Sequence, residues 1–247
     1  MIKFFRKIRQ SLLSEGITSK YLKYAIGEIV LVVIGILIAV QINAWHTSVK
    51  ENKLKANYTQ NLINDLTQDT LQLHTRIKQN QGPFFLQRVD SVIAILENPN
   101  TTLEDIQVLA QNKPITGLRT MNVYNNNTFN ILIATGDIGL FEDELIERIM
   151  ELNSLQQTEI GISNGNRASY FEMYNSYLKQ YIPNNRSNST VIKNLWINKS
   201  AEAHAPIYIN TLRIQGHAIS RYIEATQNVI IKTEELLELL KLHQKAY

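Results

Sequence analysis

The sequence predicts an all-α protein: a single-pass transmembrane helix that continues into a long helix, with an elongated extracytoplasmic helical bundle beyond it. Three observations predict this. Residues 24–45 form one apolar run holding a single charge. No Gly or Pro lies between Gly35 and Gly82, so nothing local stops a helix that leaves this run. Further on, apolar residues recur at helical spacing, and no stretch alternates convincingly as a strand would. The 247 residues include no Cys, which excludes disulfide frameworks, classical zinc fingers and iron–sulfur sites.

The formal charge of +3 is unevenly placed. Lys3, Arg6, Lys7, Arg9, Lys20 and Lys23 face only Glu15, a net +5 over residues 1–23. Glu28 takes back one charge, so residues 29–247 carry −1. A nucleic-acid binder wears its basic footprint on the folded domain. Here the footprint adjoins an apolar segment, which points to anionic lipid and away from nucleic acid. The expected organisation is a basic cytoplasmic segment (1–23), a transmembrane helix (24–45) and an extracytoplasmic all-α domain (46–247).

In the first segment, MIKFFRKIRQSLLSEG, Phe5, Ile8 and Leu12 share one helical face. Lys3, Arg6, Lys7 and Arg9 take much of the rest, the pattern of a helix lying among lipid headgroups. A basic tail that only sets topology needs no helix and is the competing reading. Gly16 ends this segment, and Thr18 or Ser19 can cap the next helix.

The span YAIGEIVLVVIGILIAVQINAW is about 33 Å long as a helix, enough for a hydrocarbon core of about 30 Å. Tyr21 and Tyr24 at one end and Trp45 at the other suit interfacial anchors. The six cations before the span outnumber Lys50, Lys53 and Lys55 after it. That asymmetry puts the N-terminus in the cytoplasm and the larger part outside. A cleaved signal peptide has a core of about 7–15 residues and a small-residue site; neither fits, so an uncleaved anchor is expected. Glu28 is the costly residue of the span. It reads as a locally paired interfacial carboxylate, as an interchain contact in an oligomer, or as part of a proton path. Gly35 and Ala39 form a small-xxx-small pair on the same broad face, which permits close helix approach.

The runs KFFRKIRQSLL and KYLKYAIGEIVLVVIGILIAVQIN closely resemble the start of an uncharacterised, flavobacterial family of Bacteroidota membrane proteins with a domain of unknown function. The family continues with Asn-Trp, where this chain has Asn43-Ala44-Trp45-His46. The later stretch TFNILIATGDIGLFEDELIERI resembles it too, as a short helix, a Gly turn and a longer helix. The resemblance implies a Gram-negative inner-membrane protein with a helical periplasmic part, and it implies no activity.

Beyond the span, Ile63, Leu66, Thr70, Leu73 and Ile77 step by 3, 4, 3, 4, a heptad seam that predicts one helix from about Tyr24 to Gln79. Gly82-Pro83 breaks it, and FFLQRVDSVIAILE forms a second helix closed by Asn98-Pro99-Asn100. Thr101 and Glu104 suit a capping box for a short third helix ending near Asn112. Residues 113–127 are irregular. A short helix from Thr128 to Thr135 stops at Gly136, and another spans Phe141 to Ser154.

A Gly-Asn break over residues 161–166 should separate that helix from one at 168–181. The latter carries the stripe Tyr170, Tyr174, Tyr177 and Tyr181, which reads first as core and second as a stacking site. A polar loop follows from Pro183 to about Ala205, with Trp196 tucking it down. The last helix, about Ile207 to Leu242, carries the seam Ile219, Ile223, Thr226, Ile230, Thr233, Leu237 and Leu240, with the first long helix as its expected partner.

The chemistry motifs are weak. Gly161-Ile162-Ser163-Asn164-Gly165 is a literal G-x-S-x-G, but a nucleophile elbow needs a central strand before it, and LNSLQQTEI is too polar for one. Ser163 therefore reads as part of a helix break and dispensable. His46, His74, His204, His217 and His243 form no ligand pattern, and no phosphate, dinucleotide or calcium loop is present. Asp and Glu read as solvated helix faces. The expectation is a non-enzymatic structural or interaction protein without metal or cofactor, partnered by the lipid bilayer and by itself or another membrane subunit. The alternative is a periplasmic ligand-sensing bundle acting through a partner protein.

Overall fold

The computed structural model describes Arg6, Gln10 and residues 18–80, 82–111, 117–121, 123–181 and 199–245. Among them no strand occurs. Arg6 and Gln10 are helical. The helices with defined bounds are α1 (Thr18–Gln79), α2 (Gly82–Leu96), α3 (Leu103–Gln111), α4 (Asn127–Thr135), α5 (Asp143–Gln180) and α6 (Ala201–Lys245). A 3-10 turn, Asp137–Leu140, joins α4 to α5. The chain divides into two compact units, residues 1–57 and 58–247.

In the first unit, α1 presents its side chains outward: Leu31, Leu37 and Trp45 are 68%, 61% and 70% exposed. An 18-residue window of this helix reaches a mean hydropathy of 2.6 with none of it buried. Among the described residues it is the helix long and apolar enough to cross a membrane, by length and composition.

The second unit buries two apolar clusters. One joins Phe85 and Val89 of α2 and Ile106 of α3 to Tyr170 and Tyr177 of α5 and Tyr208 and Leu212 of α6. The other joins Leu62, Leu66 and Leu73 of α1 and Leu132 of α4 to Leu145 and Ile149 of α5 and Val229 and Leu240 of α6. The tyrosine stripe is thus core: Tyr170, Tyr177 and Tyr181 are buried, and Tyr174 packs against them.

Helix α6 contributes to both clusters and packs most closely on α5, then on α2 and α3. The first long helix, the partner expected for its seam, joins it in the second cluster. There Gln244 Nε2 donates to Gln60 Oε1 at 2.6 Å and His74 lies 3.8 Å from Glu234. At Gly216 an added Cβ would stand 3.6 Å from Leu86 and 3.9 Å from Val89, so α2 approaches α6 closely there.

Three local readings are corrected. The box before α3 is one residue later than expected. Thr102 Oγ1 accepts from Asp105 N–H at 3.2 Å, and the Asp105 carboxylate accepts from Thr102 N–H at 2.9 Å. Helix α6 begins at Ala201 rather than near Ile207, because Ser200 Oγ accepts from Ala203 N–H at 3.2 Å and Pro206 lies inside the helix. Finally, α5 is unbroken across Gly161 and Gly165. Each Gly costs about 1 kcal/mol against Ala in a helix. Packed residues on both sides, from Leu145 to Tyr177, offset that cost by burial. Gly136 does what its position suggests: at φ 77° it ends α4 in the left-handed region, which Gly enters freely. Trp196 and the 182–198 segment lie outside the described residues.

Candidate functional site

Between the two apolar clusters the buried face of α5 turns polar. Its buried residues run Leu145, Ile149, Leu152, then Gln156, Glu159, Ser163, then Tyr170 and Tyr177. The steps of 4 and 3 carry straight through the polar residues, so the helix face that builds the cores also carries Glu159 inward. Glu159 is 1% exposed. Ser163 Oγ donates to its Oε1 at 2.5 Å, one turn along the helix. Tyr124 Oη donates to its Oε2 at 2.8 Å, from the irregular segment before α4. Burial first, and the Glu159 carboxylate second, hold the Tyr124 hydroxyl far above its usual value of 10. Tyr222 of α6 faces the same carboxylate with Thr226 beside its hydroxyl, and burial pushes it up to about 12.

The residue after Tyr124 extends the layer to α1. Asn125 donates from its backbone N–H at 3.0 Å and from Nδ2 at 2.7 Å to Asp69 Oδ1. Asp69 is fully buried. Burial raises its carboxyl to about 6, the Asn125 hydrogen bonds pull the other way, and the charge of Asp65 one turn away adds to the rise.

The same side of α1, with Asn80 just past its end, makes further bonds to residues that follow in sequence. Asn80 donates to Arg119 O at 2.8 Å and accepts from Arg119 N–H at 3.0 Å. Asp65 accepts from the Thr128 hydroxyl at 2.6 Å and from its N–H at 3.3 Å, and so caps the start of α4 from outside. Tyr58 donates to Asp137 at 2.7 Å, which raises the phenol and lowers the carboxyl.

A second cluster closes the far end of α5. The His204 ring stacks on Tyr181 at 3.8 Å and 7°, with Tyr177 and Tyr208 at 5.6 and 5.8 Å. Its Nε2 lies 3.2 Å from Tyr177 Oη. Burial, aided by the positive charge of Lys199, lowers the imidazole to about 4.

Chemically, the layer fixes register. Ser163 has no strand before it, is fully buried, and spends its hydroxyl on Glu159. The reading of Ser163 as part of a helix break is therefore overturned. Glu159 and Asp69 correct the expectation that the carboxylates lie on solvated faces. The sequence did hold a signal for Glu159: with Gln156 and Ser163 it occupies the heptad row begun by Leu145, Ile149 and Leu152. Among the described residues no group of three His, Asp or Glu gathers as a metal site.

The residues singled out in the sequence lie elsewhere. Gly35 and Ala39 are exposed on α1, and nothing stands within 4 Å of a Cβ built at Gly35. Glu28 is half-buried. Trp45 is exposed, and so is Arg6. Tyr21 and Tyr24 lie within α1, and their side chains are outside the described residues, as are Lys3, Lys7 and Arg9.

A model of a family of unknown function (DUF6090) matches residues 28–190, well over half of the chain. No curated protein and no solved structure matches it.

Two outcomes are expected. Ser163→Ala strips Glu159 of one donor and should lower unfolding free energy by about 1–3 kcal/mol in chemical denaturation, with no change in helix content. For His204 the folded value of about 4 lies below the ordinary 6.5, so the unfolded chain binds the proton first and stability falls as pH drops through this window. Asp69 acts oppositely: its folded value of about 6 lies above 3.8, so acidification through that window stabilises the fold. Thermal melts between pH 7 and 4 should show less acid loss for His204→Phe than for the parent chain, and more for Asp69→Asn.

Proposed function

Because the chain belongs to the DUF6090 family of unknown function, which brings no activity with it, we propose its role from the physical chemistry of its two units. It is a membrane-anchored structural or interaction protein of a Gram-negative, Bacteroidota-type cell envelope. Residues 24–45 cross the inner membrane once, the N-terminus is cytoplasmic, and a periplasmic helical bundle follows. The protein assembles with itself or serves as an accessory subunit of a larger membrane complex.

One observation carries this reading: the apolar face of α1 from Ile29 to Val49 is exposed on all sides, and no window residue is buried by its own chain. Water leaves such a surface uncovered only at high cost, and lipid covers it without specific contacts. Gly35 and Ala39 support the assembly part, because small residues let a second helix approach closely. Glu28 adds to it, since a carboxylate near a membrane edge gains from a neighbouring helix. The positive surplus before the span supports the orientation.

Since the chain has no Cys, single-Cys variants give clean reports. Tyr247→Cys should react with a membrane-impermeant thiol reagent once the outer membrane is permeabilised. Reaction only after the inner membrane is lysed would reverse the orientation. In native membranes, Ala39→Cys should crosslink to a second copy or another membrane protein, and adding Gly35→Leu should remove most of that product by steric exclusion. A chain that remains monomeric and partner-free, with position 39 facing lipid, refutes the assembly.

A further inference from the structure

Gln156 belongs to the polar layer but, unlike Glu159 and Ser163, has a group left over. It is 2% exposed, and its Nε2 has no hydrogen-bond partner. A buried donor without an acceptor costs about 1–3 kcal/mol, and native proteins rarely tolerate it. Gln156 lines a cavity of about 20 Å³ together with Asp65 of α1, Asn125 and Asn126 of the irregular segment, and Asn153 of α5. A water molecule needs about 10–15 Å³ of such space and two to four polar partners. This cavity has room for one; most of its wall is apolar side chains, and Gln156, Asp65, Asn125, Asn126 and Asn153 supply the amide donors, amide acceptors and one carboxylate among them. It is too small for an organic ligand.

We propose that this cavity is an ordered-water site, filled by a single molecule that accepts from Gln156 Nε2 and donates to oxygens among Asp65, Asn125, Asn126 and Asn153. The water completes the polar layer. It links α5 to the α1 residue that caps α4 and to the segment that bonds Asp69, so three elements share one hydrogen-bonded node. The proposal does not depend on the membrane-assembly reading.

The test compares full-length protein with Gln156→Met, a change that keeps the side-chain volume and removes both polar atoms. With a bound water, the variant orphans or expels it, and Tm should fall by roughly 2–8 °C. Without one, the substitution removes an unsatisfied donor, and Tm should rise. Oxygen-17 relaxation dispersion reads the water itself and should show one fewer long-lived internal molecule in the variant. A raised or unchanged Tm with an unchanged count overturns the proposal. If Gln156→Met does not fold, a crystal structure of the parent chain decides. A water within hydrogen-bond distance of Gln156 Nε2 supports the site, and a protein acceptor there refutes it.

Discussion

A carboxylate taken out of water must have its oxygens satisfied, and Glu159 imposes that requirement on everything around it. Its two oxygens accept from Ser163 and Tyr124, one donor on the same helix and one 35 residues away. The second bond draws the 123–126 segment against α5. Once Tyr124 is fixed, Asn125 falls on Asp69 and ties the segment to α1. Apolar clusters on either side tolerate small slides of one helix on another, because dispersion contacts have little directionality. Hydrogen bonds to a buried charge do not, so the layer selects one register for both clusters.

The same logic explains why a stretch without regular structure can be held so firmly. A backbone outside helices and strands still needs partners for its N–H and C=O groups. Here α1 supplies them from its side. Asn80 just past α1, then Asp69 and Asp65 within it, bond the backbone of Arg119, Asn125 and Thr128 in turn, and Tyr58 meets the Asp137 side chain, so the chain from Arg119 to Asp137 is met as the helix is read backwards. The long helix acts as a template whose polar side chains replace the missing ladder.

Much of this was legible in the sequence where the cause is local. The apolar run before Trp45, the seam from Ile63 to Ile77, the left-handed stop at Gly136 and the buried tyrosines each follow from period or conformational preference. The failures share a different cause. Gly161 and Gly165 weaken a helix locally, but packed residues many turns apart keep α5 continuous. Pro206 looks like a helix boundary, yet Ser200 starts α6 earlier. Glu159 and Asp69 look like any surface carboxylate, because Tyr124 and Asn125, which make them tolerable inside, lie far away in sequence. Only the heptad row shared with Leu145 and Leu152 hinted at Glu159.

The family match ends at residue 190, while α6, at residues 201–245, supplies one wall of both apolar clusters. The contact between Gln60 and Gln244 spans 184 residues. A ribosome therefore releases α1 to α5 before α6 can cover the apolar stripes of α1, α2 and α5. Contacts of such separation form slowly, and incompletely covered stripes attract one another. The nascent polypeptide thus carries uncovered stripes until α6 has been made, and α6 is the helix that covers them.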